Sequence, residues 1–122
     1  MPIPNGNGSE VLKVSLKQQT SGNAEMKLID GETDHIYTVL SISMTNTNGS
    51  PSNINLFIAD NAGANANERY YLLKVHAMNG HETFVWSDKI VLLETDELFF
   101  QTELTEAFDV VTSYIDQDWD AS

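Results

Sequence analysis

The residue types that most often carry out chemistry are few in this chain of 122 residues. Cysteine is absent, which excludes a thiol nucleophile, a four-thiolate zinc site and a disulfide scaffold. The three histidines, His35, His76 and His81, lack the i, i+4 spacing of a helical zinc pair. His76 and His81 can meet across a turn, but Glu82 is the only carboxylate beside them in the sequence. The sequence therefore predicts no metal centre and no cofactor.

Acidic residues alternate near the end of the chain. Asp116, Asp118 and Asp120 have the spacing that opens a calcium-binding loop, but the glycine at position 6 and the glutamate at position 12 of such a loop are missing. A solvated acidic tail over residues 116–122 is the simpler interpretation, and calcium at an interface is the alternative. Trp119 lies among these acids, where a large aromatic side chain gains little from water. We expect Trp119 to anchor the tail to its own sheet or to a neighbour.

No other motif indicates catalysis. The chain has no nucleophile elbow, no Ser-His-Asp arrangement and no phosphate-binding glycine loop, so we expect that it is not an enzyme. Carbohydrate binding needs exposed aromatic side chains beside amides, and Trp86, Tyr70 and Tyr71 with the Asn-rich residues 60–67 are candidates for it. Aromatic residues of a β-sandwich belong to the core more often than to such a site.

The charge of the chain is strongly acidic and unevenly distributed. Six basic residues face 18 acidic ones, for a formal net charge of −12. Residues 90–122 contain nine acidic residues and no basic one. This balance argues against nucleic acid and anionic membranes as partners, because both are bound through clustered Lys and Arg. The acidic final quarter is either a solubilising surface or a docking surface for a basic partner.

The sequence also lacks targeting segments. Its start has neither the basic region nor the apolar region of a signal peptide. Its longest apolar runs fall far short of the roughly 18 to 20 residues that a transmembrane helix needs. We therefore expect synthesis in the cytoplasm of the cell that makes the protein, with no membrane contact.

Apolar and polar residues alternate along most of the chain, which is the pattern of β-strands. Leu12, Val14 and Leu16 predict a half-buried strand with these three side chains on its buried face. Residues 53–59 have the same pattern. The longest predicted strand covers residues 35–45, and its residues expected on one face are Ile36, Leu40, Ile42 and Met44.

Eight or nine short strands are predicted, with turn residues about every 8 to 12 positions. This spacing is typical of an antiparallel β-sandwich, either Ig-like or jelly-roll-like, in which each strand buries one face. The only helical candidate is a turn over residues 102–107. The predicted organisation is an extended N-terminal arm over residues 1–9, a sandwich domain over residues 10–115 and an acidic tail over residues 116–122.

The order of strand and turn motifs resembles that of a known family. Residues 36–45, followed by the turn Asn46-Thr47-Asn48-Gly49, are similar to a strand and turn of small β-sandwich virion proteins from tailed bacteriophages. The resemblance covers residues 33–115 and rests on structural motifs, so it carries over no site residues. The later segments that follow the order of that family are residues 54–58, 71–74, 86–98 and 109–114.

The resemblance implies a non-enzymatic virion component that binds the major capsid protein or other virion subunits. The leading hypothesis is a decoration or cement protein that binds across capsid subunits and stabilises the head. A neck, tail, baseplate or fibre-attachment protein is the alternative, and a carbohydrate-binding module for the host surface is the second. The sequence leaves open whether the protein forms a homo-oligomer. The predicted partner-binding residues are Pro2, Ile3, Pro4, Asp116, Asp118, Trp119 and Asp120.

Overall fold

A computed structural model of the chain describes residues 9–19, 25–60, 68–102 and 108–118. Within these ranges the chain forms nine β-strands and no helix, which confirms the predicted all-β class. Most of the predicted helical turn, residues 103–107, lies outside the described residues, as does the predicted arm up to residue 8. The strands are β1 (Ser9–Gln19), β2 (Met26–Asp30), β3 (His35–Asn46), β4 (Ser52–Asp60), β5 (Glu68–Met78), β6 (Thr83–Trp86), β7 (Ile90–Leu93), β8 (Glu97–Thr102) and β9 (Phe108–Asp118).

The strands form two antiparallel sheets that pack as a sandwich. Sheet A has the order β1-β9-β3-β6. Strand β7 pairs with the same edge of β3 as β6 does, but with residues 36–39 of β3, whereas β6 pairs with residues 42–45. Sheet B has the order β2-β8-β4-β5. Every connection except β4–β5 and β6–β7 passes from one sheet to the other. This arrangement is that of a jelly roll, so the jelly-roll-like alternative describes the fold better than the Ig-like one.

The core lies between the inner faces of the two sheets. Ile54 and Leu56 of β4 are fully buried there, as the alternation of residues 53–59 predicts. They pack in one apolar cluster with Ile42 and Met44 of β3 and with Phe108 at the start of β9. Burial of this continuous apolar surface is the main force that holds the two sheets together.

Strand β1 departs from its prediction. Leu12 and Leu16 are 71% and 70% exposed, and Val14 is 56% exposed, so the predicted buried face of β1 is wrong. The alternation correctly gives a strand, but a period of two cannot say which of its two faces meets the core. β1 lies at the edge of sheet A, and its pairing with β9 turns the polar side chains of Lys13 and Ser15 to the inner side.

Strand β3 contains an irregularity that changes which residues share a face. The register of β3 against β9 shifts between Val39 and Ser41, so Leu40 is an extra residue in the ladder. Ile42 and Met44 face the core together with Val39, whereas Ile36 lies on the outer face. The prediction that Ile36 and Leu40 share a face with Ile42 is therefore wrong.

The predicted turn after β3 forms through its asparagine side chains. Asn46 Oδ1 accepts a hydrogen bond from the Asn48 backbone nitrogen at 3.0 Å. Asn46 is fully buried, and its Nδ2 donates to the carbonyl oxygens of Ser50 and Asn79 at 2.9 and 3.2 Å. The β3–β4 turn is thereby tied to the turn between β5 and β6. Gly80 belongs to the second turn, and a Cβ there would lie 2.3 Å from the Gly49 carbonyl oxygen.

One buried hydroxyl predicts a stabilising substitution. Thr112 of β9 is fully buried on the inner face, and its Oγ1 has no hydrogen-bond partner among the described residues. Because an unsatisfied buried hydroxyl is costly, we expect Thr112→Val to raise the free energy of unfolding by about 1 kcal/mol. Thermal denaturation measures this change. Thr38→Val, on the outer face of the same sheet, is the control and should change stability by less than about 0.5 kcal/mol. A loss of stability in Thr112→Val would contradict the absence of a partner.

Candidate interaction surface

The outer face of sheet A carries exposed apolar side chains on both sides of β3, whose outward residues Thr38, Ser41 and Ser43 are polar. One cross-strand row joins Leu16 of β1, Val111 of β9, Ser43 of β3 and Val85 of β6. Residues directly opposite one another on neighbouring strands point to the same side of a sheet, so these side chains share one surface. A second row contains Leu12, Ile115, Thr38 and Val91.

Polar side chains border these rows at both ends. Beyond Leu16, Gln18 Nε2 donates a hydrogen bond to Asp109 Oδ1 at 3.0 Å. Beyond Leu12, Gln117 donates to the carboxylate of Glu10 on the opposite strand. We call the area between these two polar rows the apolar face. Its exposed apolar side chains are Leu12, Val14, Leu16, Val85, Val91 and Val111. Leu93 is exposed too, and it lies opposite Ile36 in the bordering row that contains Glu10.

The outer face of sheet B is different because its own long side chains cover it. Phe57 points outward from β4 but is 0% exposed. Its ring packs against those of Phe99 and Tyr71, with centroid distances of 5.4 and 5.2 Å. The Arg69 guanidinium lies 5.1 Å from the Phe57 centroid, and its Nη2 donates to Glu25 Oε1 at 3.0 Å. On sheet B, Phe57 is thus covered by the neighbouring rings and by a cation.

Asp116 lies at the centre of a charged cluster on the inner side of sheet A. It is only 6% exposed and accepts a hydrogen bond from Lys13 Nζ at 2.8 Å. Its second oxygen lies 2.6 Å from His35 Nδ1. The other ring nitrogen of His35 faces Glu32 at 3.6 Å and Asp118 at 3.9 Å. The cluster joins β1, β9 and the start of β3, so it fastens the edge strand to the sheet.

The charges of this cluster shift the proton affinity of its members. Burial alone lowers the pKa of His35, but the hydrogen bond to Asp116 and the charges of Asp116, Asp118 and Glu32 raise it above its usual value. Burial alone raises the pKa of Asp116, but hydrogen bonds from Lys13 and His35 hold it below its usual value. The ionised pair of Asp116 and His35 is therefore favoured in the folded protein.

The structure places two of the seven predicted partner-binding residues. Asp116 and Asp118 belong to β9, which continues to Asp118, and both lie in the charged cluster. Asp116 directs both carboxylate oxygens to internal partners. The remaining five, Pro2, Ile3, Pro4, Trp119 and Asp120, lie outside the described residues.

Other acidic residues of the last quarter of the chain also have partners inside the molecule. Glu97 is buried and lies 2.6 Å from Lys27 Nζ. Asp109 accepts the hydrogen bond from Gln18, and Asp96 Oδ2 accepts one from the Leu93 backbone nitrogen at 3.2 Å. Some carboxylates of the predicted docking surface for a basic partner therefore bind groups within the molecule.

The candidates for metal and carbohydrate binding are dispersed. Among the described residues, no group of three His, Cys, Asp or Glu side chains is close enough to hold a metal ion. The His76 ring packs at a tilt against that of Phe84, with a centroid distance of 4.7 Å. Trp86 is half-buried against the core, and its Nε1 donates to the Asp88 carbonyl oxygen at 2.8 Å. Tyr70 and Tyr71 are exposed on β5, on the opposite sheet from Trp86.

The described parts of the chain contain no helix with the length and apolar character needed to cross a membrane.

Known proteins share the fold of this chain but not its sequence. No family model matches it, and no curated protein matches it in sequence. The T13 particle of infectious bursal disease virus contains a chain that aligns with a TM-score of 0.61 and 6% identity, over 90% of this chain and 32% of the viral one. A structure of the Gx strain of this virus aligns with a TM-score of 0.56 and 8% identity, over 94% and 34%.

A bacterial structure aligns over a full chain of similar length. The disulfide-linked pili that form Bacillus endospore appendages match with a TM-score of 0.53 and 11% identity, over 98% of this chain and 97% of that one. This chain spans about a third of the viral chains that it matches. At these identities the likeness shows the fold alone. It shows a β-sandwich that virus and pilus structural proteins also use.

The charged cluster predicts how stability depends on pH. Because the pKa of His35 is raised in the folded state, its contribution is complete below the unfolded value of about 6.5 and is lost as the pH rises through the folded value. Because the pKa of Asp116 is lowered, its contribution is complete above the unfolded value of about 4 and is lost as the pH falls. We expect the melting temperature to be highest between these values and to fall from pH 6 to pH 8.

Two variants test the origin of this pH dependence. His35→Gln should remove most of the fall in melting temperature between pH 6 and pH 8, measured by circular dichroism. His81→Asn is the control, because His81 is exposed in a turn and has a φ of 62°, which asparagine tolerates. Its pH profile should match that of the wild type. An unchanged slope in His35→Gln would show that the cluster does not govern this dependence.

Proposed function

We propose that the protein is a non-enzymatic structural subunit of a virus particle, and that it decorates the head and stabilises it by binding across capsid subunits. The observation that carries this proposal is the apolar face. Monomeric soluble proteins rarely leave this many neighbouring apolar side chains in water, so the face marks the chain as a subunit of an assembly. Its exposed apolar side chains lie on β1 and β9 and on β6 and β7, with the outward Thr38, Ser41 and Ser43 of β3 between them.

The absence of an obvious reaction site among the described residues fits this role but does not carry it. Cementing requires only interface area, because contacts made in the assembled particle raise the free energy needed to separate its subunits. The fold supports the proposal in a general way, since it is shared with the viral and pilus proteins. The order of strand and turn motifs favours a tailed bacteriophage as the source.

The terminal segments belong to the proposed contact set. Pro2, Ile3 and Pro4 precede β1, and Trp119 and Asp120 follow β9. β1 and β9 are neighbours and run antiparallel, with Ser9 opposite Asp118. The two segments are therefore joined to described residues at the same end of sheet A. Asp118 lies at this end too, with part of its side chain exposed, and Asp116 supports the site from within the charged cluster.

Copy number in purified particles tests the proposed function. We expect the protein to remain with intact virions through a density gradient, and quantitative mass spectrometry to find hundreds of copies per particle. Particles that lack the protein should release their genome at a lower temperature than wild-type particles. Its absence from virions would refute the virion role. Six or twelve copies per particle would refute decoration in favour of a neck or tail position.

A further inference from the structure

We propose that the apolar face packs against the same face of a second copy of this chain, which makes the assembling unit a dimer. This inference rests on the proposed function and deepens it, because a second copy covers that face and the terminal segments next to β1 and β9 are left for the capsid. It rests on three properties of the described residues: the contrast between the two outer faces, the position of charges, and the size of the apolar face.

The outer faces of the two sheets differ in the side chains that lie on them. Phe57 on sheet B is sealed by the aromatic rings beside it and by Arg69. Lys27 lies 5.8 Å from the Phe99 ring and Lys74 lies 4.6 Å from the Tyr71 ring, so two more cations cover this side. None of these long cationic side chains belongs to sheet A. Tyr71 is still 39% exposed, but long cations lie against the outer rings of sheet B, whereas the outward strand residues of sheet A include no Lys or Arg.

The charge distribution favours a copy of the chain over a basic partner. Among the strand residues that the register places on the outer side of sheet A, Glu10 and Asp109 are the charged ones. Glu10 lies near the start of β1, and Asp109 of β9 lies opposite Gln18 near the end of β1. Each belongs to a bordering row and accepts a hydrogen bond from a glutamine. The central rows hold no charge for a basic partner to meet. Two such faces can pack together without burying an unpaired charge.

The outer face of sheet A, with its bordering polar rows as a rim, approaches the size of a small dimer interface. Four strand positions at a spacing of about 4.8 Å and the seven residues between the bordering rows, at about 3.3 Å each, give an outline of roughly 440 Å², and the two bordering rows raise it to roughly 570 Å². Stable interfaces start at about 600 Å² of accessible surface per partner, and protruding side chains add to a flat outline. A two-fold arrangement uses the same patch on both copies, which is the commonest symmetry of soluble oligomers. The net charge of −12 opposes this association through repulsion that salt screens.

Analytical ultracentrifugation of the full chain tests the proposal. We expect a species of twice the 13.6 kDa monomer mass at micromolar concentration, with an association constant that rises severalfold from 0.05 to 0.5 M NaCl. Leu12→Gln with Leu16→Gln should weaken association at least tenfold. Tyr70→Gln, an equally polar change at an exposed residue of sheet B, should leave association at the wild-type level. Circular dichroism confirms that each variant remains folded.

A label that reports distance identifies the face in contact. Because the chain has no cysteine, Ser113→Cys introduces one thiol near the middle of the apolar face. Spin labels there should be separated by about 10 to 25 Å in the dimer, since packed sheets lie about 10 Å apart. Labels on Tyr70→Cys should be much further apart.

Three results would overturn the inference: a wild-type monomer at 200 µM in 0.5 M NaCl, open-ended polymers, or a dimer whose Ser113→Cys labels are more than about 40 Å apart, well beyond two packed sheets. A monomer that still occurs at hundreds of copies per virion would refute the dimer and leave the proposed function standing. A dimer that is absent from virions would refute the function alone.

Discussion

The pairing of β1 with β9 is the constraint on which the surface of this protein depends. A shift of one residue in this pairing would exchange the two faces of β1, because successive side chains point to opposite sides. Three side-chain pairs hold the observed register: Glu10 with Gln117, Lys13 with Asp116, and Gln18 with Asp109. They are spread along the strand, so a slipped register would break all three. The exposed position of Leu12 and Leu16 is thus enforced by polar contacts on both sides of the same strand.

The fold class follows from local patterns that the sequence states clearly. Alternation and turn residues predict the strands and the sandwich, and Asn46 and Asn48 form the turn that their types favour. The face of β1 that meets the core could not be predicted, since the alternation fits either face. The pairing of β1 at the edge of sheet A decides which side chains point inward. The extra residue Leu40 in β3 has no local signature either. The alternation of Lys13 and Lys17 with the leucines is typical of an edge strand, but it does not say which face meets the core.

The acidity of the chain has more than one role. The predicted docking surface for a basic partner assigns all of the acidic final quarter to one function, but Glu97 and Asp116 are internal members of ion pairs. The histidine that looked isolated in the sequence, His35, meets Asp116 across the sheet. No spacing rule could find this pair, because the two residues are brought together by the pairing of β3 with β9. The pair connects the protonation of one histidine to the attachment of an edge strand.

The central claim is that the leucine side chains of β1 face outward in the monomer and are covered on association. Methyl NMR with a soluble paramagnetic agent measures this directly. In a low-salt sample that ultracentrifugation shows to be monomeric, the methyl signals of Leu12 and Leu16 should broaden strongly while those of Ile54 and Leu56 do not. In a concentrated sample at 0.5 M NaCl, the Leu12 and Leu16 signals should become protected. Protection of these two leucines at every concentration would contradict the account, because it would place them in the core of a slipped register.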